Sequence, residues 1–346
     1  MARKRQIAVI GLGLAVEPHA RSLVDLAGRV EVRAAFSRSA ERRAQFAARH
    51  PFPVTGDLDA VLGDPAVEAV LLLTPPDARC ELVERLAAAG KAILMEKPVE
   101  RTTAAAERIV ATCERAGVPL GIVLQQRFRP AAERLAAVLA EGGLGRVAAV
   151  QLVVPWWRAQ AYYDTPGRGT RARDGGGVLI TQAIHPLDLM LSLVGPVASV
   201  AAVLGTTVMH RMEAEDFAAA GLRFRNGAVG GLIATTAAFP GGAERLTVTG
   251  TLGSAVLESS RLTLRWLDGA EATFGEAVPA GAGAAPMAFP HDWHRGVIAD
   301  FLDALDAGRP PRVTGRQALA VHRLIDALER ASAEGRTVEV AGDDAA

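Results

Sequence analysis

The first 125 residues alternate short, unbroken apolar runs with stretches of helical spacing, and few folds accommodate that alternation. Ile7–Ile10, Val30–Phe36, Val70–Leu73, Ala92–Met95 and Leu120–Leu124 read as strands, and Pro18–Leu26, Ala40–Arg49, Ala78–Ala89 and Thr103–Ala116 as helices between them. Strands that are apolar at every position, rather than at every second one, are covered on both faces, as parallel strands are. Parallel neighbours need crossover helices, so residues 1–125 are a βαβ series and predict a doubly wound parallel α/β sheet.

The pattern changes after Arg127, and residues 126–346 read as a second, α+β domain. A helix over Ala131–Leu139 leads to the strand Val147–Val154, then to an irregular aromatic and arginine-rich loop ending at Asp174. A single helical segment, Val178–Leu193, follows. Strands are then expected at Val197–Val208, Phe217–Phe224, Ala228–Thr236, Glu244–Thr249, Ala255–Glu258 and Leu262–Trp266. Asn226-Gly227 and Asp268-Gly269 are hairpin turns, which makes this open, mixed sheet largely antiparallel. Pro279–Pro290 reads as a linker, Trp293–Ala307 and Thr314–Ala333 as closing helices able to pack back on the first domain, and Thr337–Val340 as a last strand.

Thirty-eight basic residues balance 38 acidic ones, so the chain lacks the charge footprint of a nucleic-acid or anionic-membrane binder. No run of 18 apolar residues appears, and the glycines after the first strand argue against a signal peptide. Cys80 and Cys113 share no metal-ligand spacing; no metal site is expected, and reduced thiols point to a cytoplasmic protein.

Lys97 stands at the end of the apolar run Ala92–Met95, within Glu96-Lys97-Pro98. Burying an unpaired ammonium costs several kcal/mol, and proline stops the strand, so Lys97 is expected at a strand's carboxyl end, where doubly wound sheets bind ligands. Gly11-Leu-Gly13 lies where the first strand meets the first helix, as a pyrophosphate-binding turn does, although Val16 replaces the third small residue. The second strand ends in Ser37-Arg38, with Arg42 one turn on: an anion pocket that favours NADP over NAD, or a solvated helix start capped by Ser39. Thr74-Pro75-Pro76 closes the third strand as a crevice floor or as a purely structural turn.

Two constellations mark the second half. In Gly175-Gly-Gly…Thr181…His185-Pro-Leu-Asp188, Ile180, Ile184, Leu187 and Leu191 form a core stripe beside Thr181, His185, Asp188 and Ser192. Asp188 can bond one imidazole nitrogen of His185 and leave the other for proton transfer, and Pro186 is expected to kink the helix and splay His185 outward. Trp157, Tyr162 and Tyr163 share a loop with Arg158, Arg168, Arg171 and Arg173, a composition suited equally to an anionic or sugar ligand, to loop packing or to an oligomer contact.

Taken together, Gly11-Leu-Gly13 with His19, Thr74-Pro75, Gly90-Lys91…Glu96-Lys97-Pro98, Gln125-Gln-Arg127-Phe and Gly175-Gly-Gly…His185…Asp188 resemble the glucose–fructose oxidoreductase and inositol dehydrogenase family nearly end to end. The resemblance implies an N-terminal Rossmann domain, a C-terminal domain whose open sheet serves a homodimer or homotetramer, and a sugar-like or acidic hydroxylated substrate. It implies that Lys97, after a strand and before a cis proline bond, holds the reacting oxygen, that His185 exchanges the proton, and that hydride passes to or from nicotinamide C4. Cofactor contacts are implied at Gly11, Gly13, Leu14, Ser37, Arg38, Arg42, Thr74, Pro75, Glu96, Lys97 and Gln125. Substrate contacts are implied at Arg127, Trp157, Tyr162, Tyr163, Arg168, Thr181 and Asp188. Thr181 departs from the aspartate many relatives carry there, and Arg79 from a histidine. The expected activity is an NAD(P)-dependent oxidoreductase on a secondary hydroxyl; the alternatives are an oxidation–elimination glycosidase with retained cofactor and a non-catalytic cofactor sensor.

Overall fold

The computed structural model describes residues 3–276 and 290–342. The chain divides into two compact units, Met1–Gln125 with Pro290–Leu319, and Gln126–Phe289 with Ala320–Ala346. The first unit is thus assembled from two distant segments.

Its sheet is wholly parallel. Strands β1 (Arg5–Ile10), β2 (Val30–Phe36), β3 (Val54–Thr55), β4 (Ala69–Leu72), β5 (Ala92–Glu96) and β6 (Leu120–Val123) lie in the order β3-β2-β1-β4-β5-β6. Helices α1 (Val16–Asp25), α2 (Ala40–Ala47), α3 (Leu58–Gly63), α4 (Arg79–Ala88) and α5 (Thr103–Ala116) make the crossovers. All of β4 and β5 is buried, as unbroken apolar runs require. Ile93, Leu94 and Met95 are each removed from water, and full burial of such side chains is worth about 1.5–3 kcal/mol apiece. That packing anchors the strand end from which Lys97 emerges. The strand order reverses between β1 and β4, so the crevice of this sheet opens at the carboxyl ends of those two strands. The returning segment supplies α11 (Asp292–Ala307), which packs on α1, and Val313, whose carbonyl accepts from Ile122 N at 3.0 Å.

The second unit is a nine-stranded mixed sheet. Strands β7 (Val147–Pro155), β8 (Val197–Gly205), β9 (Phe217–Phe224), β10 (Val229–Thr235), β11 (Arg245–Gly250), β12 (Gly253–Glu258), β13 (Arg261–Trp266), β14 (Glu271–Phe274) and β15 (Val338–Glu339) run β14-β13-β12-β11-β7-β10-β9-β8-β15. Only β7 and β10 pair in parallel. Asn226-Gly227 and Asp268-Gly269 do turn hairpins, with Gly227 at φ +89° and Gly269 at φ +91°. Helices α6 (Pro130–Ala140), α7 (Gln160–Tyr163), α8 (Arg171–Asp174), α9 (Val178–Thr181) and α10 (Ile184–Val194) belong to this unit, and α12 (Gly315–Glu334) closes the chain before β15. Among the described residues, no single helix is long and apolar enough to cross a membrane.

Several expectations need correction. The helix expected over Val178–Leu193 is two, α9 and α10, separated at Gln182-Ala183. The break precedes Pro186, which falls in the first turn of α10, where a missing N–H costs nothing. His185 is consequently buried in that first turn rather than splayed outward. The strand expected to reach Val208 ends at Gly205, and the loop before Asp174 holds the single turns α7 and α8. Strands β3 and β14 and helix α3 had no legible period. The Pro279–Pro290 linker lies, apart from Pro290, outside the described residues.

Candidate active site

In the first unit the expected cofactor residues lie on loops at the carboxyl ends of parallel strands. Gly11 has φ +107°, and a Cβ there would stand 2.8 Å from the Leu73 carbonyl carbon, so glycine is required for β1 to approach β4 so closely. Around Gly13 a Cβ would meet nothing within 4 Å, and α1 has Ala15 at its N-cap, with no side-chain cap. Open space before uncapped helix N–H groups fits a pyrophosphate. Val16, the departure from the glycine motif, is buried as the first residue of α1, and Leu14 is 78% exposed. At the end of β2, Ser37 is buried and its Oγ accepts from Ser39 N at 3.3 Å. Ser39 caps α2 by accepting from Arg42 N at 3.2 Å; Arg38 and Arg42 are exposed. Arg43, unmarked by any motif, holds this loop by donating to the Ser37 and Arg38 carbonyls at 2.6 and 3.1 Å.

The ends of β4 and β5 are tied together from below. Thr74 and Pro75 follow β4, and the Thr74 carbonyl accepts from Arg79 Nε and Nη2 at 3.0 and 2.7 Å. Arg79 Nη1 also donates to the carbonyls of Glu96 and Pro98, on either side of Lys97. The Lys97–Pro98 bond is cis, and Lys97 N donates to Glu96 Oε2 at 3.1 Å. Glu96 Oε1 bonds His19 Nε2 at 2.8 Å, and His294 stands edge-on to His19 with ring centroids 4.8 Å apart. Burial opposes the charge on Glu96, but the bond to His19 and the electrostatic pull of its neighbours, Lys97 among them, hold its carboxyl down at about 2. Burial drives His294 the other way from a cation, to about 3, with His19 adding to the shift. His19, Glu96 and His294 offer ligand atoms all within 4.8 Å of one another, a donor set of metal-binding type that cysteine spacing did not anticipate. Thr74 Oγ1 and Gln125 Oε1 are buried acceptors with no hydrogen-bond partner among the described residues, which suits a polar ligand at the ends of β4 and β6.

In the second unit the Gly175–Gly177 segment is held by a residue the sequence did not single out. Glu215 accepts from Gly177 N at 3.0 Å and Leu179 N at 3.1 Å, so its carboxylate occupies the N-terminus of α9. A Cβ at Gly177 would lie 1.8 Å from the Glu215 carbonyl oxygen, which explains the glycine. Burial raises the Glu215 carboxyl, and the backbone donors oppose the rise. Thr181 Oγ1 donates to the Gly177 carbonyl at 2.6 Å, so this hydroxyl stabilises the turn.

Asp188 does not serve His185 in the expected way. Both of its oxygens are taken by the Arg127 fork, at 2.7 and 2.5 Å, and Asp188 is buried. Two residues expected to touch substrate therefore hold each other, because a buried carboxylate needs a charge-matched, bidentate partner more than a neutral ring. Burial raises the Asp188 carboxyl and Arg127 opposes the rise. Tyr163 is buried, its hydroxyl bonds Thr236 Oγ1 at 2.6 Å, and burial pushes it to about 12. Its ring packs on His210, whose nitrogens are both engaged, by Asp216 at 2.7 Å and the Arg158 carbonyl at 2.8 Å. Tyr162 and Trp157 are half-buried; Arg168 lies 5.2 Å over the Tyr162 ring, and Trp157 meets Phe239 edge-on at 5.4 Å.

Comparison with known proteins agrees with this construction. Residues 5–123 match the model described as an oxidoreductase family, NAD-binding Rossmann fold, and residues 132–256 the GFO/IDH/MocA C-terminal domain. The chain belongs to the Gfo/Idh/MocA oxidoreductase family. Among its relatives, the D-apiose dehydrogenase of Paraburkholderia graminis is 27% identical, over 96% of this chain and 89% of that protein. The WlbA dehydrogenase of Bordetella pertussis, solved with NADH and UDP-GlcNAcA, is 27% identical with a TM-score of 0.86, covering 99% of both chains. A levoglucosan dehydrogenase solved with NADH and levoglucosan shares the fold at a TM-score of 0.86 and 23% identity, over 98% of this chain and 100% of that one. As a member of this family the protein is an oxidoreductase whose first unit is an NAD-binding Rossmann domain.

Proposed function

We propose that the protein is an NAD(P)-dependent dehydrogenase or reductase of a sugar, polyol or sugar acid, in which the bound nicotinamide exchanges a hydride with a secondary alcohol or ketone carbon. The observation that carries this reading is the place of Lys97, one residue beyond β5 and beside the Thr74-Pro75 turn that ends β4. Its ammonium donates a hydrogen bond to the reacting oxygen and stabilises negative charge that builds there. His185 takes the hydroxyl proton in oxidation and returns it in reduction. Glu96 contacts the nicotinamide end of the cofactor, and the uncapped α1 and the Gly11–Gly13 turn receive its pyrophosphate.

Arg38, exposed at the end of β2 with no acidic residue beside it in Phe36-Ser37-Arg38, supports NADP as the preferred cofactor. The substrates of the apiose and levoglucosan dehydrogenases and the ligand of WlbA support a hydroxylated sugar or sugar acid. The open sheet face supports a homo-oligomer. Val153, Ile233, Ala219 and Val203 form one cross-strand row, and Val203, Val229 and Ile233 are 69, 50 and 45% exposed. The free thiols of Cys80 and Cys113 support a reducing, cytoplasmic compartment.

The test is turnover of sugars and sugar acids with NAD⁺ and with NADP⁺, in the wild type and in Lys97→Met. The variant is expected to lose activity by roughly 10³-fold, the scale of one transition-state donor, and to hold NADH within a few-fold of wild-type affinity. Undiminished activity in Lys97→Met overturns the assignment. Release of an aglycone without net reduction of cofactor favours the glycosidase, and a clear preference for NAD⁺ removes the role given to Arg38.

A further inference from the structure

Arg79 is 2% exposed and opens α4, a helix whose other buried side chains, Val83, Leu86 and Ala87, are apolar. Its guanidinium makes no hydrogen bond to a carboxylate that would repay desolvation most directly; among the described contacts it donates to three backbone carbonyls. Those three share one property. Glu96 and Pro98 flank Lys97, and Thr74 ends the neighbouring strand. Lys97 N is in turn bound by the Glu96 side chain, itself held by His19. The backbone of Lys97 is thus fastened before, at and after the residue, and Arg79 makes two of the three fastenings and ties them to β4. Burial lowers Arg79 to about 10, opposed by Glu96, Glu100 and Asp77, so it is a cation at neutral pH and its five donors are all retained. An apolar side chain is the ordinary choice for a buried helix start, because replacing buried charge by well-packed hydrophobes is often neutral or stabilising.

We propose that Arg79 is a positioning residue for the oxidoreductase reaction: its fork locks the Glu96–Pro98 turn to the Thr74 turn and so sets the direction in which the Lys97 ammonium is presented. This rests on the reading of Lys97 as the group that holds the reacting oxygen. The rigid, planar guanidinium reaches acceptors on two strands at once, which a point-charge lysine or a single imidazole donor does not.

The chain has only three lysines, Lys4, Lys91 and Lys97, so ¹³C-lysine labelling yields a sparse spectrum in which Lys97 is assigned by its loss in Lys97→Met. In Arg79→Ala the Lys97 side-chain signals are expected to move or broaden while those of Lys91 stay in place. Turnover on the best sugar of the panel is expected to fall at least tenfold, chiefly in kcat, with NADH affinity within threefold. Millimolar ethylguanidinium is expected to restore both the Lys97 signals and kcat, a rescue that a loss of general stability does not show. If Arg79→Ala does not fold, Arg79→His carries the comparison, with the same Lys97 displacement expected and only partial recovery of kcat. A folded variant of either kind with wild-type Lys97 signals and kcat overturns the proposal. If Lys97→Met is itself active, the catalytic reading of Lys97 fails; a displaced Lys97 spectrum in the Arg79 variant then still establishes the anchor, so the two failures are separable.

Discussion

His294 and Glu96 illustrate how single side chains tie this protein to pH. His294 sits at about 3 in the folded chain against an ordinary 6.5, so between these values the unfolded chain binds a proton that the folded one refuses. Stability therefore falls as pH drops from 6.5 towards 3. Glu96, at about 2 against 4.5, acts in the same direction: its contribution is complete above 4.5 and is lost as pH falls towards 2. The two share a cluster, and their joint effect is on the order of a few kcal/mol. Urea titrations at pH 7, 5.5 and 4 are expected to show a steady loss of stability that His294→Gln flattens above pH 4.5; a variant with the wild-type slope would contradict the assignment. Sequence reasoning reached Lys97 because an ammonium at the end of an apolar run followed by proline is chemically conspicuous. It noted Arg79 only as a departure without a role, and missed His294 and Glu215, because each lies in an ordinary helical or loop context, where nothing in the local spacing separates a buried charge from a solvated one. Asp188 was misjudged for a related reason: helical spacing placed it beside His185, whereas its partner Arg127 lies 61 residues away in sequence.

At the scale of elements, legibility followed length and period. Long apolar strands and helices such as α5 stood out. β3, with two residues, and the single turns α7 and α8 could not, since one turn carries no period to detect, while α9 was read only as the start of one longer helix. The α9–α10 break was displaced from the expected kink because proline in a first turn is permissive, while the carboxylate of Glu215 decides where the earlier turn starts. This gives Glu215 a measurable role. Glu215→Gln replaces one acceptor with a donor aimed at the Gly177 or Leu179 N–H, and is expected to lower stability by about 1–3 kcal/mol. Hydrogen exchange is expected to rise first at Leu179 to Thr181, while exchange in β11–β13 is unchanged. Uniform loss of protection across the second unit would show instead that Glu215 supports the whole core rather than this turn.

For the molecule as a whole, the alternation of strands and helices fixed the class of the first domain, and the run of strands with hairpin dipeptides fixed the antiparallel character of the second. The discontinuity of the first unit was open to expectation only as a helix that packs back, because pairing between segments so far apart leaves no local trace. It has a consequence for how the chain comes into being. Residues 1–125 leave the ribosome with the α11-facing side of α1 uncovered and without the Val313 carbonyl that Ile122 N meets. At ~5–20 residues per second, the completing segment follows on the order of ten to thirty seconds later. A fragment of residues 1–125 is therefore expected to bind a dye such as ANS and to melt without cooperativity, and joining 290–319 to it through a flexible linker to restore a sharp transition. A cooperative melt of residues 1–125 alone would count against this. The nucleotide-binding half, though synthesised first, is then the half that waits, and nascent chains stalled inside the second unit are the ones that would most need a chaperone to shield them.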